Sequence, residues 1–172
     1  MARRKGRFRF LRVLIGCSLA LVLSMQCHAE ESANTTLYCP QKYISICDEM
    51  QEKYGVSSSL LIAMIQCESS CNPNVVSSEG AVGLMQVAPC NNPDNLDLTD
   101  PRTNIEIGTQ VLLQWRDFTE DEDLLLVLSL YEGWGNTAIK QYNRENWNHK
   151  AFNYAHNVLN LSREIDLIRY GY

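Results

Sequence analysis

Glu68 is the residue in this chain best placed to do acid chemistry. It stands in the stretch Gln66 to Pro89, which reads QCESSCNPNVVSSEGAVGLMQVAP. Leu60, Leu61, Met64 and Ile65 precede it at helical spacing on one face, and Glu68 falls on or beside that face. Partial burial disfavours the charged form of a carboxylate and raises its pKa. Asn72-Pro73 stops the helix, because the residue before a proline is pushed out of the α region. Glu68 then lies in the last turn, where the negative end of the helix dipole also opposes ionisation. A glutamate held protonated near neutral pH is equipped to act as a general acid. Opposite it, Gly80 and Gly83 frame Ala81-Val82, and Leu84-Met85-Gln86-Val87 alternates as a short extended segment. Small residues let a backbone approach a ligand closely, and Gln86 supplies an amide that both donates and accepts.

Other chemistries fit less well. Cys67 and Cys71 flank Glu68 at i, i+4 spacing, but His149 and His156 are far down the chain, so a zinc-ligand spacing is absent. A nucleophilic cysteine lacks a paired base for the same reason. The segment CNNPDNLDLTDP after Pro89 has acids, yet not the ligand order of a calcium loop, and reads as a solvated surface loop. No metal site is expected.

The elements that must position Glu68 follow from periodicity. Ser57-Ser58-Ser59 caps the helix that leads to it. Before it, Tyr43 to Lys53 carries Ile44, Cys47 and Met50 at helical spacing and ends near Gly55. Asp100-Pro101 starts another helix, with Ile105, Gly108, Val111, Leu112 and Trp115 on its apolar side. The acidic run Glu120 to Asp123 opens the next, where the helix dipole favours it. Leu124 to Leu130 is apolar almost all round, which predicts a buried helix. Trp147 to Ile168 carries Phe152, Ala155, Val158, Leu159 and Ile165 at roughly helical intervals. No repeat, low-complexity block or linker interrupts the pattern, which predicts one mainly α domain.

The N-terminus reads as an export signal. Arg3, Arg4, Lys5, Arg7, Arg9 and Arg12 precede an apolar run from Val13 to Met25, and Cys27-His28-Ala29 offers small residues for cleavage after Ala29. That run is short for a membrane span of roughly 20 residues. Leu14-Ile15-Gly16-Cys17 resembles a lipoprotein box but has almost no apolar stretch before it. The whole chain holds 15 basic and 20 acidic side chains. Six basic and no acidic ones fall in 1–29, so the remainder carries a net charge near −11. Such a surface argues against nucleic acid or an anionic membrane as main partner, but not against a glycan. Cys39, Cys47, Cys67, Cys71 and Cys90 then remain, an odd number. In an exported protein the arithmetic is two bridges and one free thiol. Cys71 and Cys90 bracket the motif and would tie its ends, with Cys39 or Cys47 as equal alternatives.

Glu68-Ser69, Ser77, Gly80-Ala81, Gly83-Leu84-Met85-Gln86 and Pro89 together resemble the catalytic core of the soluble lytic transglycosylase family. These are lysozyme-like enzymes that cleave peptidoglycan. Asn104-Ile105 with Gly108 and Leu112 is similar to the family's next helix, and Tyr131 matches the tyrosine of its Tyr-Asn-x-Gly region. Glu132 departs from that pattern, standing where asparagine is usual. Tyr154-Ala155 and Val158-Leu159 resemble the closing helix. The likeness covers about residues 40–162. It implies a lysozyme-like helical domain over 40–168 with the extended segment lining its cleft, which follows the export signal read over 1–29 and a flexible polar terminus over 30–39.

The resemblance also implies a chemistry. Glu68 would protonate the oxygen between N-acetylmuramic acid and N-acetylglucosamine. As carboxylate it would then take the proton of the muramyl C6 hydroxyl, whose attack on C1 leaves a 1,6-anhydro product. No cofactor or metal is required. Ser69, Ser77, Gly83 and Gln86 would contact sugar or position the acid, Tyr131 would hydrogen-bond near it, Met85 would line the glycan floor, and Tyr154 is a further candidate. Glu79 and Glu132 read as exposed acids. A hydrolysing muramidase would need one of them to activate water, and a non-catalytic glycan-binding domain would not need Glu68. The partner implied is a peptidoglycan strand in the periplasm or outside the cell. Wall remodelling, an envelope-spanning secretion or conjugation machine, and attack on other cells are all compatible settings.

Overall fold

The computed structural model describes residues 39–119, 123–134 and 149–171. The expected signal peptide, nearly all of the loose terminus, the start of the acidic run at 120–122 and Trp147 lie outside the described residues. Among those described, the chain forms helices α1 (Gln41–Tyr54), α2 (Ser58–Ser69), α3 (Pro101–Thr119), α4 (Leu124–Ser129) and α5 (His149–Tyr170). A 3-10 turn spans Pro89–Asn91, and a π turn, Leu130–Trp134, continues α4. None of these helices is long and apolar enough to cross a membrane.

Local chemistry sets the helix ends. Gly55 adopts φ 69° after α1, and its N–H returns to the Gln51 carbonyl at 2.9 Å. Ser57 caps α2 by accepting from the Leu60 N–H at 3.4 Å. Asp100 accepts from the Thr103 N–H at 2.9 Å at the head of α3. Asp123, the end of the acidic run, caps α4 by accepting from the Leu125 N–H at 3.0 Å.

The central element is α2. Leu60 to Ile65 are all buried, so this helix has apolar contact on every side rather than along one stripe. Each fully buried aliphatic side chain of this size contributes about 1.5–3 kcal/mol. Its most extensive partner is α5, with α1 also packed against it. Of α4, Val127, Leu128 and Ser129 are buried and the first turn is half-covered. The expectation of burial all round therefore holds only for its second half, where the helix passes between α3 and α5.

Two expectations are corrected. Leu84 to Val87 is not an extended segment. Gly83 (φ 82°) and Gln86 (φ 48°) both take left-handed conformations, folding 83–86 into a turn. Val82 makes only single-residue bridges, to Val76 and Val87. Of the alternative cysteine pairings, the one with Cys39 is formed and the tie to Cys90 is not. Cys71 is bonded to Cys39, with a Cα–Cα separation of 5.6 Å. Cys47, Cys67 and Cys90 are free thiols, so the expected second bridge is not formed among the described residues. The bridge brings Cys39, expected in the loose terminus, into the body of the domain. It fastens the chain just after α2, where Ser70 and Cys71 (φ 50° and 61°) end the helix ahead of Asn72-Pro73.

Candidate active site

Glu68 sits in the last turn of α2, mostly buried, and opens onto a cleft of about 540 Å³. Ser77, Glu79 and Gln86 line one wall, Val111 and Trp115 of α3 a second, and Tyr131 and Glu132 of the π turn with Lys150 of α5 the rest. Burial pushes the Glu68 carboxyl from an ordinary 4.5 up to about 7. The Tyr154 hydroxyl, donating to Glu68 Oε1 at 2.6 Å, works against that rise. The Glu132 carboxylate adds to it, and the Lys150 ammonium pulls it back. Both tyrosine hydroxyls at the site are themselves held well above their ordinary range, by burial and then by Glu68. They stay protonated and act as donors.

The turn facing Glu68 is built from the helices outward. Asn104, fully buried on α3, accepts from the Met85 N–H at 2.7 Å and donates to the carbonyls of Val82 (2.8 Å) and Leu98 (2.9 Å). Ser69 of α2 donates to the Leu84 carbonyl at 2.9 Å, and the Tyr131 hydroxyl donates to that of Met85 at 2.9 Å. The Gln86 amide nitrogen donates to the carbonyls of Gly83 (3.0 Å) and Val75 (3.2 Å). A Cβ on Gly83 would run into the Asn104 amide and the Leu98 carbonyl. One on Gly108 would meet Met85 and the Tyr131 hydroxyl, which accounts for that glycine in α3.

The residues singled out from sequence thus divide into two groups. Glu68, Ser77, Gln86 and Tyr131 border the cleft, and Tyr154 touches the acid directly. Ser69, Gly83 and Met85 lie buried in the frame of the turn rather than along the cleft. Ser69 and Met85 are buried, Met85 completely, because the turn folds their side chains under itself. Ser77 lines the cleft while its hydroxyl also accepts from the Ala81 (3.0 Å) and Glu79 (3.3 Å) N–H groups. Tyr131 donates its hydroxyl to the Met85 carbonyl, while the direct bond to Glu68 comes from Tyr154. Glu132 is not an exposed acid. Its side chain is 14% exposed and pairs with Lys150 at 2.8 Å. Lys150 was missed altogether. The signal for it was Glu132 itself, since a carboxylate inside a cleft calls for a cation.

Comparison with known proteins agrees with this geometry. The family described as the transglycosylase SLT domain matches residues 45–155. Membrane-bound lytic murein transglycosylase C of Salmonella typhimurium is 34% identical over 123 residues, covering 64% of this chain and 31% of the relative. Its counterpart from Cronobacter sakazakii is 34% identical over 121 residues, covering 63% and 31%. The chain therefore spans about a third of the length of these relatives. Lytic transglycosylase Slt of Pseudomonas aeruginosa, solved as an inactive mutant, superposes with a TM-score of 0.63 at 19% identity, over 72% of this chain and 24% of that one. The 70 kDa soluble lytic transglycosylase of Escherichia coli gives 0.59 at 21% identity, over 73% and 24%. These two share the fold, mainly helical with the same arrangement. With the family's pattern matched over most of the described body, and Glu68 buried at a cleft inside it, the chain belongs to the transglycosylase SLT domain family.

Proposed function

We propose that this chain is a peptidoglycan lytic transglycosylase acting on the β-1,4 bond between N-acetylmuramic acid and N-acetylglucosamine. The observation that carries the reading is Glu68 itself, a carboxyl raised by burial to about 7 at the edge of an open cleft. At neutral pH a substantial fraction is protonated and able to donate to the glycosidic oxygen. Once ionised, Glu68 keeps the Tyr154 hydroxyl as a donor at 2.6 Å. That bond steadies the carboxylate until it takes the proton of the muramyl C6 hydroxyl. The hydroxyl attacks C1 and closes the 1,6-anhydro ring, so no water is consumed. Ser77, Gln86 and Tyr131 border the space in which the sugars would lie. Residues 1–29 serve as the export signal in this reading, which delivers the domain to the cell wall. Service to an envelope-spanning secretion or conjugation machine is one use of such an activity.

A hydrolysing muramidase is favoured by one observation only, a second carboxylate, Glu132, in the cleft. Its Oε1 is held by Lys150, which leaves it less suited to activating water. Mass spectrometry of a peptidoglycan digest decides the matter. A transglycosylase releases muropeptides lighter by one water than the hydrolytic products. Hydrated products alone would replace the proposal with the hydrolase, and an active Glu68→Gln variant would remove Glu68 from either scheme.

A further inference from the structure

Glu132 stands where the family pattern has asparagine, and Lys150 pairs with it at the cleft. Glu132 comes from the π turn and Lys150 from the first turn of α5, and their charged ends meet at 2.8 Å. The two side chains are unequally exposed, 14% for Glu132 against 76% for Lys150. The acid therefore lies inside the cleft, with the ammonium held from its solvent side. An ion pair with both ends in water changes little when broken. Here, loss of the lysine would leave an uncompensated, largely buried carboxylate beside Glu68.

We propose that Glu132 and Lys150 act as one unit of positioning residues, in which Lys150 sets how strongly the Glu132 carboxylate opposes ionisation of Glu68. Among the described residues, the other groups around Glu68 cannot do this near neutral pH. Tyr131 of the π turn and Tyr154 of α5 are neutral there, their hydroxyls held high by burial. Cys67 on α2 is also neutral, its thiol raised by burial and by the two glutamates. Glu79, on the facing loop, borders the cleft and acts on Lys150. The charges able to bias the acid are thus the paired ones. Glu132 holds the proton on Glu68 for the first step, and Lys150 limits that hold so that the proton can leave.

The inference rests on Glu68 as the acid of the proposed reaction, but its test needs no substrate. The Glu68 carboxyl carbon is titrated by NMR in isotope-labelled protein, and the pH profile of peptidoglycan cleavage is recorded alongside. Lys150→Met is expected to raise the Glu68 midpoint by about one pH unit, the lower end of what a nearby charge does. Lys150→Arg keeps the charge and should hold the wild-type midpoint. Glu132→Gln should lower it, and Lys150→Met with Glu132→Gln should bring it back towards wild type. A midpoint that ignores Lys150→Met, or that moves the same way in both single variants, overturns the inference. Midpoints that move as expected in a protein that releases no muropeptides would leave the pair standing and sink the proposed function instead.

Discussion

Replacing Glu68 by glutamine should stabilise the fold above neutral pH and have no such effect in acid. In the folded protein the carboxyl is raised from 4.5 to about 7. Between those values the folded state keeps a proton that the unfolded chain has released, so folding becomes less favourable as pH rises through the window. Below about 4.5 both states are protonated and the penalty is absent. Above about 7 both have lost the proton and it is complete. At about 1.4 kcal/mol per pH unit, the gap corresponds to about 3 kcal/mol of destabilisation carried by the wild type. Partial access of water to the cleft reduces this, so about 2–3 kcal/mol is expected. Glutamine stays neutral throughout and keeps an oxygen for the Tyr154 hydroxyl. Thermal unfolding of the two proteins from pH 4 to pH 9 isolates the effect, because every other titrating group is common to both. At pH 8 the variant should melt roughly 4–12 °C higher, at about 2–4 °C per kcal/mol for a chain of this size. Equal melting at pH 8, or an offset of the same size at pH 4, would refute the argument that burial raises this carboxyl.

Tyr154→Phe removes the hydrogen bond that favours the Glu68 carboxylate, so the basic limb of the pH–rate profile should move up by about one unit. A bond to a charged group is worth about 1.5–3 kcal/mol, and a limb that stays put or falls would count against it. Asn104→Ala strips three hydrogen bonds from buried backbone and should lower unfolding free energy by about 2–4 kcal/mol in urea titrations; a loss under about 1 kcal/mol would mean that water replaces the amide. Cys39→Ser opens the link across a sequence separation of 32 residues. It should cost about 3–4 kcal/mol on the chain-entropy argument, and wild type under reducing conditions should unfold like the variant.

What was legible in the sequence is what local chemistry decides. The course of α2, its serine cap and its stop close to Asn72-Pro73 all follow from residues within a turn or two of one another. So does the start of α3 at Asp100-Pro101. The raised pKa of Glu68 was also legible, because the apolar residues preceding it already implied burial. Alternation misled at Leu84 to Val87. Leu84 and Met85 are adjacent and both fully buried, which a strand with one covered face cannot do, and the positive φ of Gln86 has no side-chain signature. What stayed open was the choice among distant pairings. Tyr154 and Glu68 are 86 residues apart, and Cys39 and Cys71 are 32 apart. No periodicity reports such contacts. Tyr131 was expected to bond near the acid, and only the packing of α5 against α2 shows that the hydroxyl reaching Glu68 is that of Tyr154.

The turn at Gly83 to Gln86 shows what so strongly patterned a motif does for the fold. Its carbonyls at 82, 84 and 85 are taken by side chains from α3, α2 and the π turn, through Asn104, Ser69 and Tyr131. Its Met85 N–H is taken by Asn104 as well. The Met85 N–H and the Leu84 and Met85 carbonyls would otherwise be buried polar atoms without these partners, at about 1–3 kcal/mol apiece, whereas the Val82 carbonyl also accepts from the Val87 N–H at 2.9 Å. The turn is therefore keyed to three elements at once, and a shift of any of them breaks bonds in all. Ser69 is the next residue after Glu68 on α2, and Tyr131 the one before Glu132 on the π turn. The residues that lock the turn are thus chain neighbours of the acid and of the carboxylate that biases it. The pattern Glu-Ser, Gly-Leu-Met-Gln, Asn and Tyr encodes a rigid frame in which one carboxyl is held against a cleft. Ser77 and Gln86 remain at its edge, bordering the cleft.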